Sequence, residues 1–182
     1  MQKKNWFPII LITTAAVTAG ATVLLAALYH FHPQGWLLSA AITFGTTCYH
    51  FSMRLLVGAL IPNRFDPGSR WFQPRKAETA LYKKLRDKRW KDHLPTYDPR
   101  LFSMQDNTLE GIVKNTCQAE IVHEVIIVCS FLPMLASLLW GEFWVFAATT
   151  VIAALLDSTF VMLQRYNRPR LMRLLGKKRR KD

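Results

Sequence analysis

The sequence predicts an all-α membrane protein: four transmembrane helices arranged as two hairpins, with an amphipathic cytoplasmic or interfacial segment between them. Three observations carry this. The chain is 51% hydrophobic yet has a net charge of +12, and the charges lie almost entirely outside the long apolar runs. Such segregation suits a bilayer, where a charge at mid-membrane is expensive. Four runs reach or approach the roughly 20 apolar residues a helical span needs: residues 8–29, 36–60, 121–140 and 143–163. Finally, Lys and Arg are confined to alternate connections.

The first run follows Lys3 and Lys4, and Ala19-Gly20-Ala21 is loosely compatible with a signal-peptide cleavage site. Its length and the spans that follow favour an uncleaved helix. The second run, Trp36 to Leu60, comes after a connection, His30 to Gly35, that has no Lys or Arg. Residues 61–120 form a polar, basic region. Within it, Lys76 to His93 reads as an amphipathic helix: Ala77, Leu81 and Leu85 share a face, and Lys83, Lys84, Arg86, Asp87 and Lys88 fill much of the remainder. Trp71, Phe72, Tyr82 and Trp90 suit an interfacial level. This helix either lies on the inner leaflet or packs on its neighbours as a soluble loop helix. Pro95, Asp98 and Pro99 break the pattern.

Asn107 followed by Glu110 resembles a capping box, so the third helix is predicted to start near Asn107 and Pro133 to kink it. The tight turn Gly141-Glu142 leads to the fourth run, and residues 164–182 form a basic tail, with Pro169 expected to end the helix.

Every short basic-free connection falls on one side of this plan and every basic segment on the other. Both termini and residues 61–120 are therefore predicted to face the cytoplasm, as in a multi-pass plasma-membrane protein. Anionic membrane lipid, rather than nucleic acid, is the expected partner of the charge, since no nucleic-acid motif accompanies it. The odd count of cysteines (Cys48, Cys117 and Cys129) argues against a disulfide framework.

Counting helical rise inward from the outer ends places polar groups of three helices in one layer at the cytoplasmic edge of the membrane. These are His50 and Arg54, then Glu120, His123 and Glu124, then Asp157, Arg165, Asn167 and Arg168. Glu120, His123 and Glu124 share a face, as do His50 and Arg54. Ionisable groups at that depth are functional candidates, although they could merely pair, for example Arg54 with Glu124 or Asp157. Three chemistries suit the layer. In one, His123, oriented by Glu120 or Glu124, is a general base for a hydroxyl attacking an ester or thioester. Arg165, Arg168 or Asn167 then stabilises the oxyanion or holds a donor phosphate. The second is a metal site built from His123, Glu120 and Glu124 with His50 or Asp157, although the spacing fits no strong zinc pattern. The third is a covalent intermediate on Cys117, which nothing nearby in sequence marks as activated.

The run Gln164-Arg165-Tyr166-Asn167-Arg168-Pro169-Arg170-Leu171 resembles the C-terminal signature of the small bacterial glycosyl-4,4'-diaponeurosporenoate acyltransferases. Ala119-Glu120-Ile121-Val122-His123 is similar to that family's Ala-Glu-x-x-His stretch, and Arg89-Trp90-Lys91 to its Arg-Lys-Trp-Lys stretch. The resemblance runs from about Ile61 to the end. The N-terminal hairpin is more extensive than the family's, and Lys88-Arg89 stands where the family has Arg-Lys. The resemblance implies a membrane enzyme of carotenoid synthesis that esterifies a fatty acyl chain onto the sugar of a glycosylated lipid. It implies an activated acyl donor, acyl-CoA or acyl-lipid, and a bilayer-embedded acceptor; no resident cofactor or metal is expected. It assigns no role to Glu120 or His123. The competing reading is a non-catalytic membrane module that binds anionic lipid or scaffolds a partner enzyme.

Overall fold

The computed structural model describes residues 6–73, 78 and 99–180. Regular structure among them is helical: α1 (Phe7–Phe31), α2 (Gly35–Leu60), α3 (Leu109–Cys129), the short α4 (Ser137–Trp140) and α5 (Phe143–Arg179). Single turns of 3-10 helix cover Arg70–Phe72, Pro99–Phe102 and Leu132–Ala136. Of the expected interfacial helix Lys76 to His93, only Glu78 is among the described residues, and Trp90 lies outside them. The chain divides into two compact units, one of residues 1–60 and 125–157, the other of residues 61–124 and 158–182.

The first unit has its apolar side chains on the outside. Val17, Val23, Leu138 and Trp144 are 69–84% exposed, while Thr46, His50, Thr150 and Asp157 are buried. Water would penalise that arrangement and hydrocarbon rewards it. Three buried hydroxyls are satisfied by carbonyls of the preceding turn: Thr18 donates to Thr14 (2.7 Å), Thr46 to Ile42 (2.9 Å) and Ser130 to Ile126 (2.8 Å). Such back-bonding lets a polar side chain sit in an apolar medium without an orphan donor. Three helical stretches are long and apolar enough to cross a membrane: Pro8–Phe31, Leu109–Trp140 and Phe143–Arg179. α2, with 26 residues, is long enough but is not among them; its Ser, Thr, His50 and Arg54 dilute its apolar character.

α1 and α2 form the first hairpin. They approach closely at Gly45, where a Cβ atom would lie 3.3 Å from the Thr22 methyl group. At the other hairpin, Gly141 and Glu142 both take positive φ, 70° and 50°, which reverses the chain in two residues. Glu142 then accepts a hydrogen bond from the Ser39 hydroxyl (3.1 Å). Arg54 pairs with Asp157, also on α2 and α5. Both pairs are separated by 103 residues, so the two helices run in the same direction in matched register.

Pro133 interrupts its helix rather than bending it. α3 stops at Cys129, and residues Leu132–Ala136 continue as 3-10 helix. Pro133 has no N–H to offer the Cys129 carbonyl four residues back. That carbonyl instead accepts from the Tyr49 hydroxyl of α2 (2.9 Å). Tyr49→Phe is therefore expected to cost about 1–2 kcal/mol, measured by detergent titration of the purified protein. In the Pro133→Ala background the same substitution is expected to cost much less, because a helical N–H becomes available. Equal costs in the two backgrounds would remove this account.

The second unit contains residues 61–73, the first turns of α3 and the last turns of α5. Its helix start differs from the expected one. Thr108 caps α3, its hydroxyl accepting from Gly111 N–H (3.1 Å), while Asn107 donates its amide to the Arg100 carbonyl (2.8 Å). Asn107 is thus spent on fixing the preceding turn, and the cap falls one residue later. Asn115 ties two segments to α3, donating to the Leu101 carbonyl and accepting from Asn63 (both 2.6 Å).

The expected end of the last helix before Pro169 is also corrected. α5 runs through Pro169 to Arg179. One backbone bond is lost there, but Arg165 and Arg168 in the turn before Pro169 are clamped onto α3, and tertiary contacts override the local preference.

Candidate functional site

α3 and α5 build an ionic lattice in the second unit. Arg165 spreads its guanidinium over three carboxylates: Nε donates to Glu120 Oε1 (2.8 Å), Nη1 to Glu78 Oε1 (2.6 Å) and Nη2 to Glu124 Oε1 (2.9 Å). The second oxygen of Glu124 accepts from the Trp71 indole N–H (2.9 Å). The second oxygen of Glu120 lies 2.5 Å from Arg168 Nη2, an ion-pair contact. Arg168 is 2% exposed and Glu120 is fully buried.

Arg168 is held on every side. Nε donates to the Thr116 hydroxyl (3.1 Å), Nη2 to the Thr116 carbonyl (2.9 Å) and Nη1 to the Phe72 carbonyl (3.2 Å). The guanidinium also sits 4.8 Å from the centroid of the Phe72 ring, which adds a cation–π contact. Such complete pairing is what allows a charge to be buried, since an unpaired one would cost several kcal/mol. The spacing explains how these groups meet. Thr116, Glu120 and Glu124 recur every four residues on α3, and Arg165 and Arg168 lie three apart on α5, so each set forms one helical stripe.

His123 belongs to the same stretch of α3. It is half-buried and stacks face to face on Phe160, with centroids 4.7 Å apart and planes 11° from parallel. Asn167 is half-buried on α5, two residues from Arg165 and hence on a different side of the helix. Cys117 is a free thiol with no exposed surface.

The remaining candidates lie in the first unit. Arg54 pairs with Asp157, which is 1% exposed, and donates through Nη1 to the His50 carbonyl (2.9 Å). Both ring nitrogens of His50 are buried without a hydrogen-bond partner among the described residues. The candidates thus meet in two groups: Arg54 with Asp157 in one unit, and Glu120 and Glu124 with Arg165 and Arg168 in the other. Among the described residues, no three His, Cys, Asp or Glu side chains gather as ligands for a metal.

Sequence reasoning missed Glu78, Thr116 and the Phe72 carbonyl, and assigned Trp71 to the membrane interface alone. One signal was available. Two arginines three apart at the end of an apolar run need carboxylates, and α3 supplies only two within reach of its own stripe.

A helical chain with three stretches apolar enough for a membrane, and a buried arginine–carboxylate lattice beside them, defines a class of membrane-associated helical protein. The model of the glycosyl-4,4'-diaponeurosporenoate acyltransferase family matches residues 68–177, more than half of the sequence, and the chain belongs to that family. The family is one of acyltransferases in carotenoid synthesis. The match includes the stretches at 89–91, 119–123 and 164–171, and with them Trp71, Glu78, Glu120, His123, Glu124, Arg165, Asn167 and Arg168. His50 and Arg54 lie outside it. No match was found among curated proteins or solved structures.

Proposed function

We propose that this protein transfers a fatty acyl chain from an activated donor to a hydroxyl of a glycosylated lipid, at the cytoplasmic boundary of a bacterial plasma membrane. One observation carries the reading: the segment that matches the acyltransferase family is the segment that holds the buried lattice, with His123 on the same helix. All four oxygens of Glu120 and Glu124 are approached by arginine or indole N–H groups. Carboxylates so engaged have no oxygen left open to face a substrate hydroxyl. An imidazole, by contrast, both takes and gives a proton near neutral pH.

His123 is accordingly the general base. It takes the proton of the acceptor hydroxyl as that oxygen attacks the acyl carbonyl of a thioester. The new C–O bond forms, the C–S bond breaks, and the proton passes to the departing thiolate. Glu120, Arg165 and Arg168 are positioning residues: they fix α3 against α5 and so fix the level of His123. Asn167, outside the lattice, is the side chain left to donate to the developing oxyanion. His50, Arg54 and Asp157 take no part in this chemistry. In this reading α2 completes four crossings despite its polar residues, and the bias of Lys and Arg puts both termini in the cytoplasm.

The test is acyl transfer in native membranes. Labelled acyl-CoA is supplied, lipids are extracted, and wild type is compared with His123→Ala at equal expression. A labelled lipid product is expected, reduced about 10²–10⁴-fold in the variant. Normal turnover by His123→Ala would remove the base assignment. Absence of product with any acyl donor, against a working control enzyme, would favour a module that binds anionic lipid without catalysis.

A further inference from the structure

The second unit also contains a cavity of about 510 Å³ between residues 63–68, the first turns of α3 and the last turns of α5. That is within the roughly 300–1,000 Å³ typical of small-molecule and cofactor sites. Three cations line it: Arg64, Lys114 and Arg179. Their counter-charges are sparse. Glu110 alone approaches both Lys114 (3.7 Å) and Arg179 (3.4 Å), and these side chains are 48–66% exposed. Asp66 spends one oxygen on the Gly68 N–H (2.9 Å). Arg64 has no ion-pair partner among the described residues. Val113, 1% exposed, contributes an apolar wall.

The lattice differs in each respect. Two arginines there face three carboxylates, and every guanidinium nitrogen is committed to a protein acceptor. An anion reaching this unit therefore finds available N–H donors at the cavity and not at the lattice. Separated cations beside an apolar wall suit a phosphate group carried on a partly apolar arm. We propose that this cavity receives the phosphate-bearing carrier of the acyl donor, an inference that rests on the acyltransferase reading for the word donor but not for the binding itself.

Binding is measured on the purified full-length protein in detergent by equilibrium dialysis with coenzyme A, dephospho-coenzyme A and pantetheine. Affinity is expected to fall in that order, as phosphates are removed. The double substitution Lys114→Glu with Arg179→Glu is expected to weaken coenzyme A binding about ten-fold or more. Arg173→Glu, an exposed charge reversal outside the cavity that makes half the charge change of the double variant, is expected to shift it by less than about two-fold. Lys114→Arg keeps the charge and is expected to keep binding, which separates loss of the site from loss of fold. Equal affinity for coenzyme A and pantetheine, or a double variant that binds as wild type does, overturns the proposal. So does a double variant that loses adhesion to phosphatidylglycerol vesicles while binding coenzyme A normally, since the cavity would then be a lipid headgroup site. Because dialysis needs no turnover, phosphate-dependent binding without any transferred product supports the cavity while removing the enzyme. Turnover with no such binding does the reverse.

Discussion

Glu120→Ala is expected to destabilise the protein by about 3–5 kcal/mol, the usual cost of removing one partner from a buried ionic group. Glu120 has no exposed surface and stands between two arginines, Arg165 through Oε1 and Arg168 through Oε2. Without it, Arg168 keeps its bonds to Thr116 and Phe72 but loses its only carboxylate contact among the described residues, at a site where it is 2% exposed. Glu124→Ala is expected to cost only about 1 kcal/mol, because its side chain is 22% exposed and Arg165 retains Glu78 and Glu120. Detergent-titration midpoints of the two purified variants decide the matter. Equal midpoints would mean that the lattice is not centred on Glu120.

The second large effect is expected at Arg54. Its side chain is 19% exposed, whereas that of Asp157 is 1% exposed. Arg54→Ala removes the cation paired with a buried carboxylate and is expected to cost about 3–5 kcal/mol. Asp157→Ala strands an arginine whose long stem can carry its charge to the boundary, and the cost should be smaller. Arg54→Met combined with Asp157→Leu is expected to regain most of the stability, because both desolvation penalties disappear together. Resistance to trypsin in native membranes reads the folded fraction for all three. A double variant as labile as Arg54→Ala would show that the pair contributes something other than charge compensation.

The helices were legible because burial in a bilayer selects on composition. The runs at 8–29 and 143–163, and the two-residue turn at Gly141-Glu142, are visible without knowledge of packing. The pairing of Arg54 with Asp157 was one of two options the sequence left open. Glu120, Glu124, Arg165 and Arg168 could be grouped because three- and four-residue spacings fix helical faces. What escaped was non-local or a contest between near-equal options. Nothing around Glu78 marks it as the third carboxylate of Arg165, 87 residues away. Asn107 and Thr108 are both good caps, and only the Arg100 carbonyl decides between them. Pro169 reads as a stop until the arginine clamps before it are known.

The matched register of α2 and α5 also has a consequence in time. Arg54 emerges from the ribosome 103 residues before the aspartate that neutralises it. At about 5–20 residues per second, that interval is on the order of 5–20 s. If α2 crosses the membrane as proposed, it waits through that interval with an uncompensated arginine, although it is not among the helices apolar enough to count as candidate spans. The neighbour already made is α1, which packs along it and approaches it closely at Gly45. In the four-crossing reading the first hairpin is thus an intermediate that has to persist until α5 is made.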